Sequence, residues 1–283
     1  MTAYFVSDIH LKTPTESKAL LLERFLFQLI QQASAARNTT GSTDAPTHLF
    51  LVGDIFDLWI GSHRYFRRRF EKLVGLVRDL VRLGVEVHFF EGNHDLHLTD
   101  FWQGEIGVRV HTDSEYFDLP LSLGSSLVGA LGGKFRVRVE HGDLINPDDS
   151  GYRFLRWLLR TPVIRGLALN LPEKLVTAIG ERASAASRDY TSGDGAKAID
   201  HRDVPKMIHT YVKRAYHDEP FDLIITGHVH IQDDFTFEAA GKVVRSVNLG
   251  SWFESAPVFL LSESASGAVE GRFIDLMQTV EKV

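Results

Sequence analysis

Five short apolar runs in this chain each lead into residues that can bind a cation or carry a proton. Tyr4–Val6 is followed by Ser7-Asp8-Ile9-His10, and Leu49–Val52 by Gly53-Asp54-Ile55-Phe56-Asp57. Val85–Phe90 leads to Gly92-Asn93-His94-Asp95, and Phe135–Val139 to Glu140-His141-Gly142-Asp143. Leu223–Ile225 ends in Thr226-Gly227-His228-Val229-His230. The runs are strand-length and rich in β-branched and aromatic residues, as is a sixth run, Val243–Val247.

Helical patterns lie between them. Lys18–Ala36 carries Leu20, Leu21, Phe25, Leu26, Leu29 and Ile30 at helix spacing, and Tyr65–Leu83 does the same, with Gly84 as its C-cap. Strands alternating with helices predict an α/β sheet domain. In open α/β sheets, sites form beyond the carboxyl ends of the strands. Five such ends would bring Asp8, His10, Asp54, Asn93, His141, His228 and His230 together. Asp8/His10 and His228/His230 are i, i+2 pairs, so on continuing strand each pair projects to one face. Asn38–Pro46 reads as a loop, and Pro120–Lys134 as a long connection.

Between about 147 and 216 there is no good strand pattern. Tyr152–Arg160, Val163–Asn170, Glu173–Ser187 and Val204–Tyr216 read as helices, with Pro162, Pro172 and Pro205 as punctuation. The expected division is therefore an α/β core, residues 1–146 and 217–283, with a helical insertion at 147–216.

Composition narrows the chemistry. The 283 residues include no Cys, which excludes a disulfide scaffold and thiolate ligands. Any metal must be held by Asp, Asn and His, a set suited to Mn, Fe, Zn or Mg. The net charge of −6 gives no argument for nucleic acid as a partner. No basic start with an apolar run marks a signal peptide, and no stretch reaches roughly 18 apolar residues, so the expectation is a cytoplasmic protein. Seven O/N ligands are too many for one four-coordinate site; they fit two ions about 3.5–4 Å apart that share a carboxylate. Each motif alone has a bland reading as a turn or a solvated pair. Five in series, each after a predicted strand, do not.

In series, D-x-H, G-D, G-N-H-D, H-G and G-H-x-H resemble the signature of the calcineurin-like metallophosphoesterases, over roughly residues 4–95, 135–143 and 221–252. The resemblance implies two mixed β-sheets in a sandwich with helices outside. It implies that Asp8, His10, Asp54 and His230 hold one divalent ion and Asp54, Asn93, His141 and His228 a second. It also implies that His94, paired with Asp95, binds phosphate and acts as general acid, with Asp95 orienting the ring. Scaffold relatives that only bind partners typically lose ligands; here every position is filled.

A narrower resemblance covers the insertion. HGDLINPDDSGYRFLRWLLR, the helices after it and the run Gly53-Asp54-Ile55-Phe56-Asp57-Leu58-Trp59-Ile60-Gly61 are similar to the UDP-2,3-diacylglucosamine diphosphatases of lipid A biosynthesis. That implies a Mn-dependent pyrophosphatase releasing UMP and an acylated sugar phosphate at the inner membrane surface, with Asp149, Tyr152, Arg188 and Lys197 near the substrate head group. Phospholipid head groups and nucleotides are the alternative substrates. The better-known members carry G-N-R-D, and His94 stands where they have Arg. His can act as a general acid at neutral pH and Arg cannot. Within YRFLRWLLR, Arg153, Arg156 and Arg160 share one helix face beside Leu155, Trp157, Leu158 and Leu159. This basic, amphipathic helix reads either as a contact for an anionic membrane or acylated ligand, or as an ordinary lid helix packed through Leu and Trp.

Overall fold

Two β-sheets face each other across an apolar layer, and helices cover their outer faces. The structure is a computed structural model that describes residues 1–38, 45–120, 134–147, 149–176, 178, 203–263 and 268–280. The first sheet contains β1 (Thr2–Val6), β2 (His48–Val52), β4 (Glu86–Phe90), β6 (Arg109–His111), β12 (Pro257–Glu263) and β13 (Val269–Asp275), in the order β13-β12-β1-β2-β4-β6. The second contains β7 (Glu115–Pro120), β8 (Lys134–Val139), β9 (Leu223–Thr226), β10 (Gln232–Ala239) and β11 (Lys242–Leu249), in the order β10-β11-β9-β8-β7. All six expected runs are strands.

Side-chain alternation explains the layering. In β1, Ala3 and Phe5 point between the sheets while Tyr4 and Val6 point to the helical layer. β2 repeats this, with Phe50 and Val52 inward and Leu49 and Leu51 outward. The inner faces meet Val137, Val139, Ile225 and Val247 of the second sheet. Outside the first sheet lie α1 (Ser17–Asn38), through Leu22, Leu26 and Leu29, and α3 (Glu71–Arg82), through Leu73, Val77 and Leu80. The helix expected over Tyr65–Leu83 is two helices. α2 (Arg64–Arg69) stops at Phe70, which adopts φ −111° and caps α3. Gly84 closes α3 at φ +84°.

In the stretch expected as a helical insertion, α4 (Ser150–Leu159) and α5 (Pro162–Leu169) come first. α6 (Val204–Asp218) lies against the second sheet, packing Ile208 and Val212 on Ile224 and Val244. Most of the helix expected over Glu173–Ser187, most of the loop Asn38–Pro46 and most of the Pro120–Lys134 connection lie outside the described residues.

Strand direction sets the position of the site. β1, β2 and β4 run parallel, with Tyr4 opposite Leu49 and Leu49 opposite Val87. β8, β9 and β11 are likewise parallel. The loops after these strands therefore gather along one edge of the sandwich.

Candidate metal centre

The ligand pairs do not sit on continuing strand. β1 ends at Val6 and β9 at Thr226, and the next residues turn sharply. Asp8, His10, Asp54, His228 and His230 all have left-handed backbone, with φ between 51° and 72°. This conformation costs a non-glycine residue of order 1–3 kcal/mol and concentrates at functional sites. Convergence of the side chains thus comes from strained turns rather than from the pleat. Backbone hydrogen bonds hold the first two loops together, Asp8 N to Gly53 O at 3.1 Å and His10 N to Asp54 O at 3.0 Å.

A third loop is locked by a two-strand ribbon, β3 (Trp59–Ile60) beside β5 (Asp95–Leu96), with Trp59 N donating to His94 O at 2.9 Å. Trp59 is fully buried among Phe56, Phe66, Phe101 and Trp102, and its Nε1 donates to Gly61 O. The G-D-x-F-x-x-W-x-G run is therefore an anchor that fixes Asp54 against the Asn93–Asp95 loop.

Two ligand clusters result. Asp8, His10 and His230 form one, and Asp54, His141 and His228 the other, with the ligand atoms of each within 4.8 Å of one another. His10 Nε2 lies 3.1 Å from His230 Nε2, and His228 Nδ1 lies 3.3 Å from His141 Nε2. Asp54 stands between the clusters: its Oδ2 is 3.9 Å from His10 Nε2 and 3.5 Å from His141 Nε2. Asn93 Oδ1 comes within 3.3 Å of His141 Nε2. Asp8 and Asp54 each accept one main-chain hydrogen bond, from His228 N and His94 N, which orients the carboxylates. Glycine is required beside them. A Cβ on Gly92 would lie 2.1 Å from Asp54 Oδ1, and one on Gly227 would lie 2.4 Å from Asp8 Oδ2.

The electrostatics fit cations. Asp8 Oδ1 is buried and makes no well-formed hydrogen bond; its nearest nitrogen is His230 Nε2 at 3.3 Å, and a cation shared by the two would satisfy both. Burial raises the Asp8 and Asp54 carboxyls, but the imidazoles around them outweigh it and hold both below the usual range. Burial pushes His10 down to about 3 and His228 to about 4, which leaves both neutral and ready to ligate. His141 differs. Burial disfavours its charge, but Asp54 and Asp8 drive it up to about 10, so the field of the two carboxylates draws a positive charge to this point. An oxygen and nitrogen donor set with that field suits two divalent ions.

His94 belongs to the same edge, with His10 and Asp54 within ligand distance. Its ring is not oriented by Asp95. Nδ1 donates to the carbonyl of Asp57 at 2.7 Å, while Asp95 accepts from the amides of Ile55 and Phe56 at 2.7 and 3.2 Å. Burial and the charge of Asp54 raise the Asp95 carboxyl well above its ordinary value. Asp95 thus pins the Asp54–Asp57 turn, and the main chain of that turn sets His94.

The expected head-group residues are used differently. Asp149 caps α4, accepting from Tyr152 N at 2.8 Å, and Tyr152 Oη donates to Asp143 at 2.6 Å. Both still line the cavity beside the centre. Arg188 and Lys197 lie outside the described residues. Two further residues reach the site. Asp143 is buried, and it also accepts from Arg156 Nε at 2.7 Å. Phe253 stacks on His10 at 5.7 Å and 11°. Asp143 stands in the H-G-D motif; Phe253 follows a strand end that carries no ionisable residue to flag it.

Two of the three arginines of α4, Arg156 and Arg160, turn toward the protein, while Arg153 is exposed. Arg156 pairs with Asp143 and Asp113, and Arg160 with Glu91 and the carbonyl of Thr112. Phe154 and Trp157, stacked at 5.7 Å, face outward, 62% and 63% exposed. Between α4, α5 and the centre lies a cavity of about 1260 Å³, with His94, His228 and His230 at one end and Leu155, Leu159, Ile164, Leu167 and Leu171 at the other.

The model of the family described as calcineurin-like phosphoesterase matches residues 1–232, and this chain belongs to that family. It is a metal-dependent hydrolase. Relatives named UDP-2,3-diacylglucosamine hydrolase are similar over nearly the whole chain. That of Stenotrophomonas maltophilia is 28% identical over 91% of this chain and 94% of its own length. That of Xanthomonas axonopodis pv. citri is 28% identical over 95% and 97%. Among solved structures, an archaeal phosphodiesterase aligns over 97% of this chain and 99% of its own, at 13% identity and a TM-score of 0.41.

Proposed function

We propose that the protein hydrolyses the pyrophosphate bond of UDP-2,3-diacylglucosamine, releasing UMP and the acylated sugar 1-phosphate. The observation that carries this reading is the single cavity that joins the ligand cluster to a chamber walled by leucine and isoleucine. Its volume of about 1260 Å³ exceeds the roughly 300–1,000 Å³ of ordinary small-molecule sites. A phosphate at the polar end and acyl chains at the apolar end would use both. The names of the relatives support the same substrate.

Asp8, His10, Asp54 and His230 would hold one divalent cation, and Asp54, Asn93, His141 and His228 the other, with manganese the expected metal. Such ions supply an acidified water and neutralise phosphate charge. The chain does the rest. Asp57 O holds the His94 Nδ1 proton, so Nε2 is left toward the phosphate. From there His94 stabilises charge on a phosphoryl oxygen and, when protonated, delivers its proton to the leaving oxygen, a contribution of roughly 10²–10⁴-fold. α4 and α5 act as a lid that excludes water and holds the acyl chains. Among the described residues no helix is long and apolar enough to cross a membrane. The outward Phe154, Trp157 and Val163, beside Arg153, would instead seat the lid on the cytoplasmic face of the inner membrane.

His94 favours a second reading, a phosphate ester with a poorer leaving group, because imidazole can give up a proton where guanidinium cannot. One experiment separates them. Chelator-stripped protein is incubated with UDP-2,3-diacylglucosamine with and without Mn²⁺, and UMP is measured. Mn²⁺-dependent UMP is expected. Its absence, with an aryl phosphodiester still cleaved with Mn²⁺, would keep the two-metal chemistry and move the search to other substrates, esters with poorer leaving groups first.

A further inference from the structure

We infer that the chain has a separate divalent-metal site at the opposite end of the first sheet, formed by His48, Glu86 and His88. His48 opens β2 and Glu86 opens β4, whereas Asp54 and Asn93 follow the other ends of those strands. His48 lies directly opposite Glu86 in the parallel register, and His88 is two residues on, so all three side chains share one face. One ligand atom from each lies within 4.8 Å of the others.

The hydrogen bonds around the cluster decide which nitrogens are free. Thr47 Oγ1 donates its only hydrogen to Thr2 O at 2.8 Å. It can therefore only accept at its 2.9 Å contact with His48 Nδ1. That places the His48 proton on Nδ1 and leaves Nε2 with a bare lone pair. His88 Nδ1 is 3.0 Å from His111 Nε2, and Glu115 faces the far nitrogen of His111 at 3.9 Å. The carboxylate favours a proton on that far nitrogen, so His111 Nε2 accepts and His88 Nδ1 donates. His88 Nε2 is then also bare. It is buried, at 1% residue exposure, has no hydrogen-bond partner, and lies 3.9 Å from Glu86 Oε2.

Two imidazole lone pairs and a carboxylate, each imidazole held from behind through its other nitrogen, form the donor set of a transition-metal site with an open position. Zinc fits it best, and nickel, cobalt or copper would bind by the same donors. Glu86 is half exposed, which gives an ion a route in. Arg109 holds Glu86 Oε2 at 2.8 Å and competes for the carboxylate. An ion bound there would staple β2 to β4.

The test counts zinc. Full-length, chelator-stripped protein is dialysed against Zn²⁺, and bound zinc per chain is measured for wild type, His48→Gln, Glu86→Gln and Arg109→Gln. Both ligand variants should bind one zinc fewer than wild type, with Mn²⁺-dependent aryl phosphodiester turnover unchanged. Affinity at the site should fall beyond the roughly 10–100-fold of a lost outer-sphere partner. Arg109→Gln should bind the same number more tightly. Melting in chelator checks folding, and Glu86→Gln, on an exposed side chain, serves if His48→Gln is unstable. Equal zinc in wild type and folded Glu86→Gln would overturn the site. Because the readout is a difference, it holds whatever the catalytic edge itself binds.

Discussion

At the carboxyl edge of the sheets, Asp8, Asp54 and His141 are buried, strained turns carry five of the ligands, and main-chain hydrogen bonds orient the carboxylates. In α4 and α5, by contrast, no residue is fully buried. These helices are tied down by Arg156 to Asp143, Arg160 to Glu91, Arg165 to Asp100 and His97 to the carbonyl of Leu159. The first region has one arrangement enforced from many directions. The second rests on charge pairs at its margin and offers leucine to the cavity. Low local packing is what a moving element needs. The difference puts the ligand set on the rigid edge and leaves α4 and α5, under the proposed function, as the part that would choose the substrate.

The comparison breaks most severely at Asp54. Asp54→Ala removes the carboxylate between the clusters, and turnover of any substrate should fall by roughly three orders of magnitude or more. Activity within tenfold of wild type would refute a shared carboxylate. Next is His94→Ala, expected to cost about 10²-fold on a poor leaving group and less on a nitrophenyl ester. An equal loss on both would leave His94 a purely electrostatic role.

The edge should also titrate. His141 is raised to about 10 in the folded chain, against 6.5 unexposed to that field. Its charge therefore stabilises the metal-free fold fully below pH 6.5, and that contribution is lost as pH climbs toward 10. Metal must displace the same proton, so affinity should rise about tenfold per pH unit between 7 and 9. Calorimetry in buffers of different ionisation enthalpy would detect about one proton released at pH 8; none released would contradict it.

The lid should respond more gently and only with acylated substrate. Arg156→Ala should raise its KM about tenfold, the equivalent of losing one charged hydrogen bond. Trp157→Ser with Phe154→Ser should reduce turnover on vesicles by a few-fold. An aryl phosphodiester should be indifferent to both changes, and parallel losses would deny the lid its separate role.

The legible parts of the sequence were those with one dominant physical cause. β1, β2, β4 and β9 are apolar runs because they are buried, β8 buries only Val137 and Val139, which alternate with its arginines, and the ligands announce themselves by following all five. β10 alternates between partly buried and exposed residues along Gln232–Ala239, and β6 has three residues, so neither makes an apolar run. Spacing put Arg156 and Arg160 on one face of α4 but could not say what that face meets. The answer depends on Asp113, Asp143 and Glu91, which lie far away in sequence. The resemblance implied that Asp95 orients His94; Asp95 instead accepts from the amides of Ile55 and Phe56, and the main-chain oxygen of Asp57 holds the ring. The left-handed turns at the ligands are likewise invisible in residues whose type does not demand them.

The contacts at Gly92 and Gly227 reach further than the loops that hold them. Backbone meets carboxylate there with no room for a single added carbon. Glycine is already the smallest residue, so mutation at either position can widen the gap and never narrow it. The spacing of the centre therefore rests on a geometric floor, and drift in the sequence has only one direction in which to move it.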